Sequence, residues 1–422
     1  MPKLELEDRD RRYLDGGEGE AARLAMRIIV TLARVNGAPR LIDVSRAHID
    51  GCLYHGRAGL DFARRLLTDG GRVSVPTTLN VASLDLLHPG LVRADGATTD
   101  RARELMDAYV AMGCEPTWTC APYQLPARPG LGEQIAWAES NAIVFANSVL
   151  GARTNRYGDF ADICAAITGR VPDAGLHRRA NRRAEVVFRL RDIPEQLLDE
   201  DVFYPVLGHL VGQRTGSAIP AIAGLPPGQP EDRLKALGAA AASSGAVALF
   251  HAVGSTPEAA TLEDALQGRD PARVADITPD DVVRARDSLT TSPGETIGGV
   301  SLGTPHLSVA GFARLVGLLD GVLVHPGVEF YVSTGRGVLE QVKEKGWVEL
   351  LERAGVELVT DTCTYITPVV RKARVMMTDS GKWAYYAPGN IGVEVVFGSM
   401  RECVLSAAEG RVVRDPQLWA GL

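Results

Sequence analysis

The sequence predicts an α/β protein that is built mainly from parallel strands and divided into subdomains. Segments with apolar residues at helical spacing alternate with short runs rich in β-branched residues, a pattern typical of parallel sheets. The chain has 422 residues, more than one hydrophobic core usually serves, so two or three subdomains are expected. Its composition, 45% hydrophobic and 23% charged, indicates an ordinary globular protein.

The N-terminal elements follow this alternation in order. Residues 21–38 carry apolar side chains at helical spacing, and residues 40–50 are typical of a short strand and turn. Residues 59–71 predict a second helix, which is closed by glycines. Residues 72–80 predict a strand that leaves polar residues at its carboxyl end.

The polar residues at the end of this strand predict a binding site. In parallel sheets, ligands gather beyond the carboxyl ends of the strands. We therefore expect Thr77, Thr78 and Asn80 to bind the substrate.

A Pro- and Gly-rich segment, residues 218–233, predicts a domain boundary. We expect an N-terminal α/β part at 1–217, which carries the substrate-site block, and a C-terminal α/β part at 218–422. Residues 245–254 are typical of a buried strand and turn. Three later segments each couple a β-rich run to a polar or Cys-bearing turn: 327–337, 355–368 and 392–404.

Charge and hydropathy argue against two classes of partner. The formal net charge is -7 and the isoelectric point is about 5.7, whereas binding to nucleic acid needs a basic face. No apolar run approaches the ~20 residues that span a bilayer, and residues 1–20 do not resemble a signal peptide. These features predict a cytoplasmic protein that binds neither nucleic acid nor membranes.

Residues 138–150 predict a buried helix with one polar stripe. At about 100° per residue, four polar side chains share about one third of its circumference: Ser140, Asn141, Asn147 and Ser148. Each could simply satisfy neighbouring backbone groups, because buried amides must be hydrogen-bonded. Together with Arg153 and Arg156, however, they favour a pocket for a small anion, since guanidinium groups bind carboxylates and phosphates in a bidentate manner. The alternative is that both arginines pair with Asp or Glu residues of the scaffold, for instance Asp159 or Asp162.

The six cysteines form no CxxC pair, so a zinc ribbon or a thioredoxin motif is absent. A disulfide framework is not expected in a long cytoplasmic chain. Cys52 and Cys164 lie in apolar or helical contexts and are interpreted as buried thiols.

Seven motifs resemble one family when they are taken together. In chain order they are SVPTTLN, TCAPY, GEQIAWAESNAIVFANSVLGARTNR, ITGRVPDAGLH, DTCTY, SGKWAYYAPG and GSMRECVLSAAEG. They resemble the large subunit of aconitase X, a divergent branch of the aconitase superfamily, over nearly the whole chain. The resemblance implies an aconitase-like architecture of several subdomains in three layers with mainly parallel sheets.

The resemblance also implies an iron-dependent dehydratase, a hydro-lyase that acts on a small anionic hydroxy acid. One known activity of the branch dehydrates cis-3-hydroxy-L-proline, and another dehydrates mevalonate 5-phosphate. Iron would polarise the leaving hydroxyl group as a Lewis acid, while a base removes a proton from the neighbouring carbon. Cys363 and Cys403 match positions expected to ligate iron, and Cys120 is the third candidate, although it could instead line the pocket.

One departure from the family bears on the cofactor. Many relatives have a cysteine where this chain has Thr304, which cannot supply a thiolate. This disfavours a four-iron cluster. An iron–sulfur cluster of the 2Fe-2S or 3Fe-4S type, or mononuclear iron, fits better.

Further roles follow from the matched motifs. We expect Glu139, Asn147 and Lys382 to be catalytic and His306 to bind the substrate. Glu139 could instead serve only in hydrogen bonding, and Lys382 could be a surface residue beside a packed aromatic ring.

A second departure concerns the catalytic base. Aconitases carry a serine base on a swivelling domain, but the large-subunit motifs here run from near residue 15 to near residue 410. We therefore expect a small swivelling-domain subunit that supplies the serine. Thr304 favours cis-3-hydroxy-L-proline as the substrate, whereas a separate subunit favours mevalonate 5-phosphate. A third hypothesis is a non-catalytic iron-binding homologue that needs a partner.

Overall fold

The computed structural model describes residues 4–421, which form two compact units. Unit 1 runs to Leu84 and resumes over Ala94–Arg183. Unit 2 takes Asp85–Arg93 and the described residues from Ala184 onward.

The units divide after Arg183, not at the predicted boundary between residues 217 and 218. The strand Pro220–Ala223 pairs in parallel with the strand Val186–Leu190. The Pro- and Gly-rich segment, residues 218–233, therefore contains a strand of unit 2 and does not link the two units.

Unit 1 contains a parallel sheet in the strand order β3-β2-β4 and an antiparallel pair, β1-β5. Its strands are β1 (Leu41–Asp43), β2 (Ala47–Ile49), β3 (Thr77–Leu79), β4 (Ala136–Trp137) and β5 (Arg170–Pro172). Its α-helices are α1 (Asp8–Leu14), α2 (Glu20–Val35), α3 (Arg57–Thr68), α4 (Gly96–Ala111), α5 (Ser140–Phe145) and α6 (Ala161–Thr168). A π-helix, Ala146–Leu150, continues α5, and Gly151 ends it in the left-handed conformation.

Two predicted helices are present in unit 1, at α2 and α3, and each buries one apolar face. The predicted strand and turn at residues 40–50 is in fact two strands that belong to different sheets. β1 pairs with β5, whereas β2 is the central strand of the parallel sheet.

Unit 2 contains two parallel sheets, with strand orders β8-β7-β6-β9 and β12-β11-β10-β13-β14. The strands are β6 (Val186–Leu190), β7 (Pro220–Ala223), β8 (His251–Ala252), β9 (Arg273–Ile277), β10 (Gly299–Leu302), β11 (Glu329–Ser333), β12 (Val356–Val359), β13 (Val375–Thr378) and β14 (Glu394–Phe397). The helices are α7 (Glu195–Leu198), α8 (Phe203–Thr215), α9 (Glu231–Ser244), α10 (Leu262–Leu266), α11 (Pro279–Ser288), α12 (Val309–Leu318), α13 (Arg336–Glu344), α14 (Trp347–Ala354), α15 (Gly381–Ile391) and α16 (Met400–Glu409).

The five-stranded sheet of unit 2 holds a large hydrophobic core. Its strands contribute Val300, Phe330, Val332 and Met377, which pack with apolar residues of α12, α13, α14 and α16. Strands covered by helices read as continuous apolar runs, which explains why three of these segments were recognisable from sequence.

The predicted α/β class with mainly parallel sheets is confirmed. No helix among residues 4–421 is long and apolar enough to cross a membrane. The cytoplasmic location stays a prediction.

Candidate active site and metal-binding residues

Polar residues follow all three strands of the parallel sheet in unit 1. Asp50 directly follows β2, Asn80 directly follows β3, and Glu139 lies two residues beyond β4. Because the strands are parallel, their carboxyl ends lie at one edge of the sheet. The Asn80 amide nitrogen donates a hydrogen bond to Asp50 Oδ1. The predicted site residue Asn80 therefore lies at this edge beside a carboxyl group that the sequence analysis missed.

The two threonines of β3 are already engaged within unit 1. Thr77 donates its hydroxyl hydrogen to the Val75 carbonyl oxygen at 2.8 Å, which serves the local turn. Thr78 Oγ1 lies 2.8 Å from His48 Nδ1, and His48 Nε2 is buried without a hydrogen-bond partner. Burial lowers the pKa of His48 to about 4, so its ring is neutral at pH 7.

Two aspartates, the half-buried Asp50 and the buried Asp162, lie beside this edge. Asp162 accepts hydrogen bonds from the backbone amides of Asp50 at 2.8 Å and Gly51 at 3.1 Å. Burial, together with the Glu139 and Asp159 charges, raises the pKa of Asp50 to about 7. Burial also raises the pKa of Asp162 to about 7. The sequence signal for Asp50, its position at the end of a strand, was hidden because residues 40–50 were interpreted as one element.

Glu139 begins α5 as its N-cap residue, with a φ of 73°. Its carboxylate accepts hydrogen bonds from the Ala142 backbone amide at 2.7 Å and from Asn141 Nδ2 at 2.6 Å. Asn141 also donates to the Cys120 carbonyl oxygen and accepts from the Tyr123 hydroxyl group, each at 2.6 Å. These contacts give Glu139 a structural role in capping and in orienting Asn141.

Asn147 hydrogen-bonds the backbone of Thr154, in the segment that follows its helix, and does not fit the predicted catalytic role. Its amide nitrogen donates to the Thr154 carbonyl oxygen at 2.9 Å, and its amide oxygen accepts from the Thr154 backbone at 3.1 Å. Arg182 donates to the Asn147 amide oxygen at 2.9 Å and to its carbonyl oxygen at 2.8 Å. Both acceptor positions of the amide oxygen are thus used by the scaffold.

The π-helix also changes the geometry of the predicted stripe. Ser140 and Asn141 lie in α5, whereas Asn147 and Ser148 lie in the π-helix. A π-helix bonds residue i to i+5, so the angle of 100° per residue does not hold across the segment. The regular spacing therefore ends at Phe145, and the shared stripe of the four side chains stays a prediction.

Neither arginine of the GARTNR block pairs with a scaffold carboxylate among residues 4–421. Asp162 accepts backbone amide hydrogens, and no ion pair joins Asp159 or Asp162 to Arg153 or Arg156. Arg156 is exposed, and Arg153 Nε is buried without a hydrogen-bond partner. The described residues therefore leave both guanidinium groups available to an anionic ligand.

His177 of the ITGRVPDAGLH motif is part of a buried hydrogen-bond network. Its ring nitrogens lie 2.5 Å from the Tyr157 hydroxyl oxygen and 2.6 Å from Gln134 Oε1. Burial lowers its pKa to about 3, so the ring is a neutral structural group.

In unit 2, the DTCTY turn (residues 361–365) and the GTPH turn (residues 303–306) bring together two side chains that could hold a metal ion. His306 and Cys363 are both buried, and their ligand atoms lie within 4.8 Å of one another. The turns follow β12 and β10, which belong to the same parallel sheet. His306 Nε2 lies 3.3 Å from the Thr362 carbonyl oxygen, a contact of the kind that orients metal-binding histidines. The expected substrate-binding residue His306 is thus placed beside a predicted iron ligand.

Buried ionic contacts fix the DTCTY turn. Asp361 has a φ of 60° and pairs with Arg336 through two hydrogen bonds of 2.6 and 2.7 Å. Asp85 accepts hydrogen bonds from the Thr360 backbone amide and hydroxyl group at 2.8 and 2.9 Å. The start of the loop that carries Cys363 is therefore held by Arg336 and Asp85.

Cys403 does not fit the predicted role of an iron ligand. It lies in α16 among the apolar side chains of the five-stranded sheet, and it does not belong to the group formed around His306 and Cys363. Burial raises the pKa of its thiol well above the ordinary value, which opposes formation of a thiolate. Its place on a helix face rather than in a turn explains the difference.

Two further motif residues of unit 2 are buried. Thr304 Oγ1 has no hydrogen-bond partner among the described residues. Lys382 lies in the first turn of α15 and is 3% exposed, which excludes the surface alternative. In unit 1, Cys120 is also buried.

The comparisons with known proteins identify the family. Three family models match the chain: the aconitase X first domain over residues 3–180, the second over 184–287 and the third over 297–409. The chain belongs to the aconitase X family. The crystal structure of Thermococcus kodakaraensis aconitase X in its holo-form is similar, with a TM-score of 0.86 and 32% identity. The match covers 96% of this chain and 100% of that one.

Two relatives are dehydratases that differ in their named substrate. Cis-3-hydroxy-L-proline dehydratase of Pseudomonas aeruginosa is 46% identical over 97% of this chain and 71% of its own length. Phosphomevalonate dehydratase large subunit of Methanothermobacter thermautotrophicus is 36% identical over 94% of this chain and 96% of its own. Dehydratases are hydro-lyases, so the predicted enzyme class is confirmed together with the family.

The contacts of Asn147 predict a structural phenotype. We expect Asn147→Ala to lower the free energy of unfolding by about 2–4 kcal/mol, because it removes buried hydrogen bonds and leaves part of the Arg182 charge unsatisfied. Urea denaturation would measure the change, with Ser140→Ala as the matched control on the same segment. Equal free energies of unfolding in the two variants would contradict the structural role of the Asn147 hydrogen bonds.

Proposed function

We propose that this chain is the metal-binding part of an iron-dependent dehydratase that acts on cis-3-hydroxy-L-proline. The observation that carries this proposal is the 46% identity, over 97% of the chain, to a dehydratase of that substrate. The identity to the phosphomevalonate dehydratase large subunit is lower, at 36%. The buried pair His306–Cys363 supports the dependence on iron.

The donor set fits iron or an iron–sulfur centre. Thiolate sulfur and imidazole nitrogen are both established ligands of iron. We propose that Cys363 and His306 hold the metal, and Cys120 remains a candidate ligand on the strength of its motif. The bound centre would supply a Lewis acid that polarises the substrate hydroxyl group. The type of centre, whether 2Fe-2S, 3Fe-4S or a single iron, remains part of the proposal.

The residues of unit 1 suit the anionic end of the substrate. A carboxylate could accept hydrogen bonds from Arg153 and Arg156, neither of which pairs with a scaffold carboxylate among residues 4–421. The neutral His48 ring and the Asn80 amide offer further polar contacts near the carboxyl edge of the sheet. Thr78 and Asp50 hold the His48 ring and the Asn80 amide, so substrate contacts through these two groups would cost little reorganisation.

We further propose that a small swivelling-domain subunit provides the serine base. The relative from M. thermautotrophicus is a large subunit, which implies a small partner in that branch. The P. aeruginosa relative extends beyond the region matched here, since the match covers 71% of its length. Both observations support a second module that works with the region matched here.

The second candidate is the large subunit of a mevalonate 5-phosphate dehydratase. It is favoured by the match to almost the whole length of such a subunit, 96%. Two guanidinium groups without scaffold partners would suit a phosphate as well as a carboxylate.

The substrate proposal predicts turnover of one compound over the other. The anaerobically prepared chain, assembled with its small subunit, should dehydrate cis-3-hydroxy-L-proline and release a pyrroline carboxylate. Mevalonate 5-phosphate should react at least about 100-fold more slowly in kcat/KM. The reverse preference would establish the second candidate, and no turnover of either compound would favour the non-catalytic hypothesis.

The arginine contacts predict a change in substrate binding. Arg156→Ala should raise KM by about one to two powers of ten, because one charge-assisted hydrogen bond to the substrate is lost. Its melting temperature and iron content should stay at the wild-type values. Arg179→Ala, which changes another exposed arginine of unit 1, is the matched control. An unchanged KM in both Arg153→Ala and Arg156→Ala would contradict the anion pocket.

The metal assignment predicts different outcomes for three buried cysteines. Cys363→Ser should lose most of the bound iron and the visible colour of the anaerobic protein. Cys403→Ser and the matched control Cys164→Ser should keep their iron, because both thiols are packed in apolar or helical surroundings. Iron analysis and absorption spectra would measure this. Full iron content in Cys363→Ser would refute the assignment.

A further inference from the structure

Asp50 has a different environment from the other carboxyl groups of unit 1. It lies at the carboxyl end of the central strand, β2, and is partly exposed, so solvent or a ligand can reach it. Its Oδ1 accepts a hydrogen bond from the Asn80 amide. Within residues 4–421, its Oδ2 has no hydrogen-bond partner.

Other polar atoms at this edge also lack partners. His48 Nε2 is fully buried, and the Asn80 amide oxygen belongs to a residue that is 2% exposed. Buried polar atoms are nearly always hydrogen-bonded in folded proteins, and exceptions call for a functional explanation. One of these atoms belongs to Asn80, which hydrogen-bonds the reachable Asp50 carboxyl group, and this indicates a place where a polar ligand group binds.

We propose that Asp50 donates the proton to the hydroxyl group that leaves in the dehydration, with Asn80 and Asp162 as positioning residues. This inference rests on the proposed function. In cis-3-hydroxy-L-proline, the Asp50 proton passes to the C3 oxygen as the C3–O bond breaks, and water leaves. The base takes the proton on C2, and the electron pair of that C–H bond becomes the C2–C3 double bond. Asp50 remains as a carboxylate and regains a proton from solvent before the next turnover.

Burial and the charges around Asp50 raise its pKa, so a substantial fraction of this carboxyl group is protonated near pH 7. Glu139 faces it from beyond β4, Asp159 from the loop before α6, and Asp162 from α6. Burial and these negative charges raise its pKa to about 7, whereas the hydrogen bond from Asn80 lowers it. A general acid is most effective when its pKa lies near the working pH. Below pH 7 Asp50 carries the proton to be transferred, and above pH 7 that proton is lost.

The neighbouring groups are less suited to this role. The Asp162 carboxylate is fully buried and is occupied by backbone amides of residues 50, 51 and 163. His48 is neutral, and Thr78 Oγ1 holds its Nδ1 at 2.8 Å. Asp162 instead fixes the backbone of Asp50, and Asn80 fixes one oxygen of its carboxyl group.

Turnover and its pH dependence test whether Asp50 is the proton donor. Asp50→Asn in the enzyme assembled with its small subunit should lower kcat by about 100-fold or more, because general acid catalysis contributes about 10²–10⁴-fold. The fall in wild-type kcat above pH 7 should disappear, and calorimetry should show substrate binding within about threefold of wild type. Asp107→Asn, on the exposed face of α4, is the control with unchanged activity. A kcat within about fivefold of wild type and an unchanged pH profile would overturn the proposal.

Asn80→Ala tests the positioning role by a shift in pH. The Asn80 hydrogen bond stabilises the ionised form of Asp50, so its loss should raise the pKa of Asp50. The alkaline limb of the kcat profile, which is the fall in kcat above pH 7, should therefore move to higher pH. A purely structural role would lower activity without moving that limb. An alkaline limb at the wild-type position would overturn the role of Asn80.

A measurement without substrate separates this inference from the proposed function. In the full chain, infrared difference spectra between wild type and Asp50→Asn should show a protonated carboxyl band at pH 6 that is lost by pH 8.5. Absence of this band at pH 6 would overturn the proposal whatever the substrate is. If mevalonate 5-phosphate proves to be the substrate, only the substrate proposal fails. The same variants then test the donor on the hydroxyl group of that compound.

Discussion

The parallel pairing of strands determines where the candidate site residues lie. In each unit, the carboxyl ends of the parallel strands share one edge of a sheet, and the polar turns follow directly. Asp50 and Asn80 lie at such an edge in unit 1, and His306 and Cys363 follow strands of one sheet in unit 2. Residues that are far apart in sequence thereby come together without long loops. The chemistry therefore depends on strand order as much as on the side chains.

Hydrogen bonds and ion pairs to buried polar side chains hold these turns in place. Arg336 neutralises Asp361 at the bend before Cys363, and Arg182 supports Asn147 after the π-helix. A buried charge is tolerated only when it is paired and hydrogen-bonded. Asp361 and Asn147 of the recognised motifs, with Arg336 and Arg182 from outside them, thus maintain the shape of these turns.

The sequence allowed the fold class and family to be predicted, because helical periodicity and the long ESNA…GARTNR block depend on local order. Individual roles were predicted less well. Cys403 and Cys363 both follow β-rich runs, yet one faces a hydrophobic core from a helix and the other lies in a turn beside His306. Asn147 was expected to contact the substrate, but its partners Thr154 and Arg182 are known only from tertiary structure. The π-helix removed the regular spacing on which the stripe was based.

The strands that carry the unit 1 site are very short. β2 and β3 have three residues each, and β4 has two, so the sheet has few backbone hydrogen bonds of its own. Side-chain hydrogen bonds also hold these strands: Asp162 accepts from the Asp50 amide after β2, and Thr154 accepts from the Trp137 amide of β4. Substitutions that adapt the site to a new substrate therefore also weaken the sheet beneath it. Evolution of specificity in this unit should proceed through compensated pairs of substitutions rather than through single changes.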